Sequence, residues 1–197
     1  MMNTFFYNIS KNKNIAKHFY FLCTNGCYDE VKYIYNLYCN DLYITDPLFY
    51  NICIYGSYDI VKFLYSLNNK LHITDNLFSV VCRRGRIDVA KFLYSINNNL
   101  IINKEFLILV MYNTIDNDIG KWIFSLNTNL KITELDIELF NWCCYNGHIN
   151  KVKFMNSQCN KLMYVTYISP LKRRIIIHLQ NDDITVITSF NKIYIKN

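Results

Sequence analysis

GSYDIVKFLY, residues 56–65, returns almost unchanged as GRIDVAKFLY at 85–94. The same frame stands upstream as GCYDEVKYIY at 26–35 and, more loosely, downstream as GHINKVKFMN at 147–156. The chain has only five glycines, and four of them, Gly26, Gly56, Gly85 and Gly147, open these copies. The steps from Gly26 to Gly56 to Gly85 are 30 and 29 residues; a further 30 reaches Ile115, ahead of DNDIGKWIF, and Gly147 follows after 32. A period of this size means stacked supersecondary units rather than one globule. It also moves the functional expectation from catalysis toward surface recognition.

Each unit carries two helix patterns. The first places apolar residues at i, i+3 and i+4: Phe49, Ile52, Cys53; Phe78, Val81, Cys82; Phe140, Cys143, Cys144. That spacing draws one stripe on a short helix. Pro47 fits the first turn, where a missing N–H costs nothing, and the glycine supplies the left-handed residue that closes the end. The second helix repeats Val61, Leu64, Tyr65 as Val31, Ile34, Tyr35 and as Ala90, Leu93, Tyr94. Asp29, Asp59, Asp88 and Asp118 stand near its start, suited to a cap or to the helix dipole. Asn-rich joints such as SLNNKLHITD (66–75) read as loops, because Asn tolerates left-handed turns. With Ile115 in a glycine slot, the helix before it is expected to end at Asn113.

These patterns predict an all-α chain of stacked helix-turn-helix units, with repeats at 15–45, 46–74, 75–103, 104–133 and 134–166. Residues 1–14 form an N-terminal cap. Pro170 stands 9 before Leu179 as Pro47 does before Gly56, and the offset also pairs Asp59 with Asp182, Ser66 with Ser189 and Asn68 with Asn191. Residues 167–197 are therefore expected to be a degenerate capping repeat, completing a single repeat domain over 1–197.

The composition, 52% hydrophobic and 18% charged over 197 residues, supplies a core and argues against disorder. A net charge of +6 mildly favours acidic partners. No apolar run reaches the roughly 18 residues of a membrane span, and MMNTFFYNISKNKN lacks the order of a signal peptide. A cytoplasmic, non-secreted, non-membrane chain is expected, as a monomer.

Catalytic and metal motifs are missing. The eight cysteines form no pair of C-x-x-C or H-x3-H spacings that would complete a tetrahedral site. His18, His72, His148 and His178 share no spacing. Nothing matches H-E-x-x-H, a phosphate-binding glycine loop or a nucleophile elbow. No enzyme, no metal and no cofactor are expected. Lys32, Lys62, Lys91, Lys121 and Lys153 recur once per unit, a solvated face whose alternative is a track for nucleic acid or another polyanion. All five arginines cluster as Arg83, Arg84, Arg86 and Arg173, Arg174.

Helix, glycine turn, D-[IV]-x-K-[FY]-[LI] and polar loop together resemble the ankyrin repeat, best over 15–160. They are similar in particular to the 30-residue variant of large amoeba-infecting DNA viruses. The family's T-P-L-H start is reduced here to Asp46-Pro47-Leu48-Phe49-Tyr50, and its Gly-Ala-Asp loop to Asn-rich sequence. The resemblance implies an ankyrin-type solenoid and a small residue at Cys23, Cys53, Cys82 and Cys144. It also implies a concave groove lined by the residues just before each glycine. On that basis Tyr55, Arg83, Arg84, Arg86 and Tyr145 are the expected partner-binding residues, since Tyr and Arg dominate interface hot spots. The function implied is non-catalytic protein–protein interaction, for a viral chain with a host or viral partner in the host cytoplasm.

Overall fold

The helices begin where side chains can cap them. The computed structural model describes residues 12–114, 118–127, 137–158, 165–168, 174–180, 183–187 and 192–195. The chain divides into two units, Met1–Ile101 and Ile102–Asn197; the division falls within the expected repeat 75–103.

The first unit holds α1 (Lys13–Thr24), α2 (Tyr28–Tyr38), α3 (Asp46–Tyr55), α4 (Tyr58–Leu67), α5 (Asp75–Arg83) and α6 (Ile87–Ile96). Asn12, Thr45, Ser57 and Thr74 accept from amides two or three residues on and so cap α1, α3, α4 and α5, each cap contributing about 1 kcal/mol. Asp29, Asp59 and Asp88 lie in first turns without being the caps. The odd helices α1, α3 and α5 pack side by side, and the even helices α2, α4 and α6 do the same. Two layers result, and the core lies between them.

The predicted stripe fills that core. Phe19, Phe49 and Phe78 are fully buried, each with a buried cysteine four residues on, Cys23, Cys53 or Cys82. From the even layer come Val31, then Ile60, Val61 and Leu64, then Val89, Ala90 and Leu93. Burying one such Phe or Leu contributes about 1.5–3 kcal/mol. Helices of this length are marginal alone in water, so the stacking holds them.

Rings join the even helices. Phe63 meets Tyr28 and Tyr35 edge-on at 6.0 and 5.9 Å, and Phe92 meets Tyr58 and Tyr65 at 6.1 and 5.7 Å. The joints are closed by asparagine. Asn68 Nδ2 donates to the Ile44 carbonyl at 2.8 Å and Asn97 Nδ2 to Ile73 at 3.0 Å. Both asparagines have extended backbone (φ −144° and −130°) rather than left-handed; their amides, not their tolerance of odd φ, place them there. Asp46 Oδ1 accepts from the His72 amide and Asp75 Oδ1 from the Ile101 amide.

The glycines are of two kinds. Gly26 and Gly85 are left-handed (φ 77° and 72°). The amide after each returns to the carbonyl five residues earlier, Cys27 to Leu22 and Arg86 to Val81, which is a Schellman closure. Gly56 corrects the expectation: its φ is −78° and its ψ 171°. Closeness demands glycine there, because an added Cβ would stand 2.5 Å from Ile52 Cγ2 and 2.9 Å from the Cys23 carbonyl oxygen.

The second unit holds α7 (Lys104–Asn113), α8 (Asp118–Leu126), α9 (Ile137–Tyr145) and α10 (Ile149–Gln158). Asn103 caps α7, which ends at Asn113 as expected; Ile115 lies outside the described residues. Phe106, Val110, Met111, Ile123, Phe140, Cys143 and Met155 form the buried set, and Phe124 meets Phe154 edge-on at 5.5 Å. Asn127 repeats the asparagine closure onto Ile102 at 2.9 Å. Gly147 is left-handed at φ 71°.

The helices through α10 fit the all-α expectation, and beyond α10 the chain turns to strands. β1 (Val165–Ile168), β2 (Arg174–Gln180), β3 (Asp183–Ile187) and β4 (Lys192–Ile195) form one antiparallel sheet in chain order. Gln180 pairs with Asp183 and Ile187 with Lys192. The degenerate repeat expected over 167–197 is corrected by these strands. Ile175, Ile176 and Ile177, with Thr185, Val186 and Ile187, are β-branched runs that suit a pleated surface better than a helix. Pro170, Asp182, Ser189 and Asn191, on which the capping-repeat expectation rests, lie outside the described residues, as do residues 1–11 of the expected cap. No helix among the described residues is long and apolar enough to cross a membrane.

Gly56→Ala is expected to lower unfolding free energy by about 1–3 kcal/mol through overpacking. Gly85→Asn, with nothing within 4 Å of the added Cβ, is expected to cost about 1 kcal/mol or less; chemical denaturation of both variants ranks them. A second expectation concerns acid. Burial alone would raise the Asp46 carboxyl, but the His72 amide, ring and charge outweigh it and lower it below its ordinary 3.8. A lowered carboxyl stabilises the fold above its ordinary value and loses that contribution as pH falls through the folded one. Asp46→Asn should therefore flatten stability against pH only below about 4, measured by denaturation across pH 2.5–7.

Candidate functional site

The odd layer brings three helix ends together. Residues 20–27, 50–57 and 79–86 close α1, α3 and α5 and contain no Asp or Glu, while the last of them holds three arginines. The carbonyls at a helix end carry partial negative charge, which favours cations nearby.

The three arginines meet different fates. Arg84 is exposed, and its guanidinium lies 5.6 Å from the ring centroid of Tyr55, itself 54% exposed at the end of α3. Tyr20 of α1 joins this surface: burial and then the Tyr55 phenol raise its pKa. Arg83 is half-buried, and its Nε, shielded from solvent, meets no acceptor. Arg86 turns inward. It donates to the Cys53 carbonyl at 2.8 Å, to Ile52 at 3.4 Å and to Gly56. Burial lowers its pKa, offset in part by the Cys53 thiol.

Arg86, one of the expected contact residues, is thus engaged within the fold. Its donors satisfy the end of α3, which Gly56 in extended form leaves without a Schellman closure. The sequence carried no signal for this, since Cys27 and Ser57 occupy the matching position in the neighbouring copies. Tyr145 ends α9 in the other unit, and its side chain lies outside the described residues. The structure therefore gathers Tyr55 and Arg84, with Arg83 beside them. Tyr20 was missed, although Tyr50 holds the same place six residues before its glycine.

The second unit has its own inward cation. Lys151 is buried; its Nζ donates to the Met111 and Thr114 carbonyls and lies 5.6 Å from the Trp142 ring centroid. α7 also ends in extended form, at Thr114 with φ −96° and ψ 145°. Burial and then Lys151 lower the pKa of His148, whose ring lies 4.9 Å from that of Trp142, tilted by 39°.

Two lysines of the row are paired locally. Lys62 lies 3.0 Å from Asp59 and 4.3 Å from the Tyr58 ring, and Lys121 lies 3.7 Å from Asp118. The bond that Lys62 donates to Asp59 raises the Lys62 pKa. Such exposed pairs add little stability, but they offset part of the field a polyanion would follow. Burial pushes the Cys23 and Cys53 thiols up to about 12 and Cys143 to about 11, and raises Cys82 as well. Thiols held protonated are poor nucleophiles and poor ligands. Among the described residues no group of three His, Cys, Asp or Glu side chains could hold a metal ion.

Arg86→Ala is expected to lower unfolding free energy by about 1.5–3 kcal/mol, the scale of bonds from a charged donor. Arg84→Ala should change it by less than about 1 kcal/mol. Equal losses in urea denaturation would place the two side chains in the same role.

No family model, curated protein or solved structure matches the chain, so the reading of this surface stands on its own geometry.

Proposed function

We propose that the chain is a non-catalytic protein-interaction module of ankyrin type, resembling the repeats of large DNA viruses, and that it binds an acidic segment of a host or viral partner. The observation that carries this reading is the exposed Arg84 over Tyr55 at helix ends devoid of carboxylates. A ring face beside a guanidinium receives an apolar side chain next to an Asp or Glu. Rigid helices hold both in place, so little ordering is lost on binding. Paired helices closed by left-handed glycines, in two layers, support the ankyrin reading. The local pairing of Lys62 and Lys121 with aspartates weighs against a polyanion track.

Selection from a random peptide library on the intact chain tests the proposal. Enriched peptides should combine Asp or Glu with an aromatic or aliphatic residue. Arg83→Glu with Arg84→Glu should weaken them by about 30-fold or more, the effect of one hot spot, without changing the thermal midpoint. A random single-stranded oligonucleotide serves as the comparison. Tighter binding of it than of any selected peptide, with affinity falling steeply as salt rises, would replace the protein reading by the polyanion one.

A further inference from the structure

The surface that holds Arg84 continues past Tyr55 onto α1. Arg84, Tyr55 and Asn25 each stand one residue before a repeat glycine, Gly85, Gly56 and Gly26, and α5, α3 and α1 pack side by side in that order. Tyr20 of α1 carries the surface across, its phenol close enough to that of Tyr55 to feel its charge. Phe21 follows it and is 59% exposed. Phe21 stands four residues before Asn25, about one turn, and so shares its face of the helix. The polar side chains beside Phe21 are engaged within α1: Thr24 Oγ1 donates to the Tyr20 and Phe21 carbonyls at 3.1 and 3.0 Å, and Asn25 Nδ2 to the Phe21 carbonyl at 2.7 Å.

Distance sets the register a partner must match. Packed helices stand about 8–10 Å apart, so the two steps from α5 to α1 span about 16–20 Å. An extended chain advances about 3.3 Å per residue and covers this in about five or six residues; an α-helix, rising about 1.5 Å per residue, needs about 11–13. Width decides between them. A face bounded by positions four apart on each helix is about 6 Å wide, and a helix with its side chains is about 10–12 Å across. A single extended chain fits such a strip, and the absence of Asp and Glu from residues 20–27, 50–57 and 79–86 leaves it open to carboxylates along its length.

We propose that this strip takes an extended peptide whose Asp or Glu meets Arg84 and whose second apolar side chain, about five or six positions away, meets Phe21. The inference rests on the acidic-segment reading of the Arg84 surface and adds to it the partner's conformation and a spacing. Phe21 then selects among acidic segments that Arg84 alone would treat alike.

Synthetic peptides on a Gly-Ser background test it with the intact chain. Each carries a Leu-Asp anchor and one Phe, placed either about two or about five or six positions from the Asp, on either side, and affinity is read by NMR titration. The anchor without Phe should bind weakly and lose binding in Arg84→Glu. Phe at the longer spacing should tighten it by about tenfold or more on one side of the anchor, the effect of one aromatic contact, while Phe at the shorter spacing should not. Phe21→Ala should remove that gain and leave the anchor's affinity and the thermal midpoint unchanged. A gain that ignores spacing, or that survives Phe21→Ala, would overturn the inference while the acidic-segment reading stands. So would a tighter complex with an alanine-rich helical peptide carrying Asp and Phe about twelve positions apart, which would make the partner a helix. Failure of every peptide, the anchor included, would overturn both.

Discussion

A helix leaves carbonyls without partners at its C-terminal end, and how each odd helix answers that constraint organises both units. α1, α5 and α9 answer it with a left-handed glycine and an amide that turns back, from Cys27, Arg86 and His148. α3 and α7 end in extended backbone and cannot close themselves. A cation from the following helix pair reaches back instead, Arg86 to α3 and Lys151 to α7. In both cases the carbonyl four residues before the glycine slot, Ile52 or Met111, is among the acceptors. The extended end at Gly56 brings backbone so close to Ile52 and Cys23 that no Cβ fits. Close approach and the borrowed cation are two sides of one geometry.

The same economy of polar groups runs along the joints. Asn68, Asn97 and Asn127 each spend a side-chain amide on a carbonyl of the preceding joint, 24 or 25 residues back. Asp46 and Asp75 take amides from joints 26 residues ahead. These bonds contribute about 1 kcal/mol each, less than one buried Phe. Their larger effect is on register, because a slip of one residue breaks every rung. Apolar burial holds the layers together, and the amide rungs decide which residue faces which.

The repeat period was legible because burial enforces it: Phe19, Phe49 and Phe78, the cysteines four residues after them, and Phe140 sit in buried positions where few residue types fit. The helix end at Asn113 was legible because Ile115 cannot take a glycine's place cheaply. What one line of sequence could not separate was two reasons for the same residue. Gly56 and Gly85 look alike, yet one is required for space and the other for its φ. The asparagines looked like tolerant turn residues and act as donors. Arg86 looked like its neighbours Arg83 and Arg84, and only the position of the α3 carbonyls tells them apart. The C-terminal strands were misread because a few matching letters spaced like Pro47 and Asp59 outweighed the β-branched runs between them.

Those three arginines also show why a charged cluster alone does not define a binding surface. Arg86 already makes bonds from a charged donor, about 1.5–3 kcal/mol of them, and a partner carboxylate would have to beat carbonyls that are fixed in place. Arg84 lies over a ring face, about 0.5–1 kcal/mol at an exposed site, and the residue is exposed to solvent. An incoming carboxylate can add bidentate bonds to Arg84 without breaking anything the fold depends on. On the proposed reading, recognition falls to the cation the fold uses least, Arg84, with the Tyr55 ring beside it.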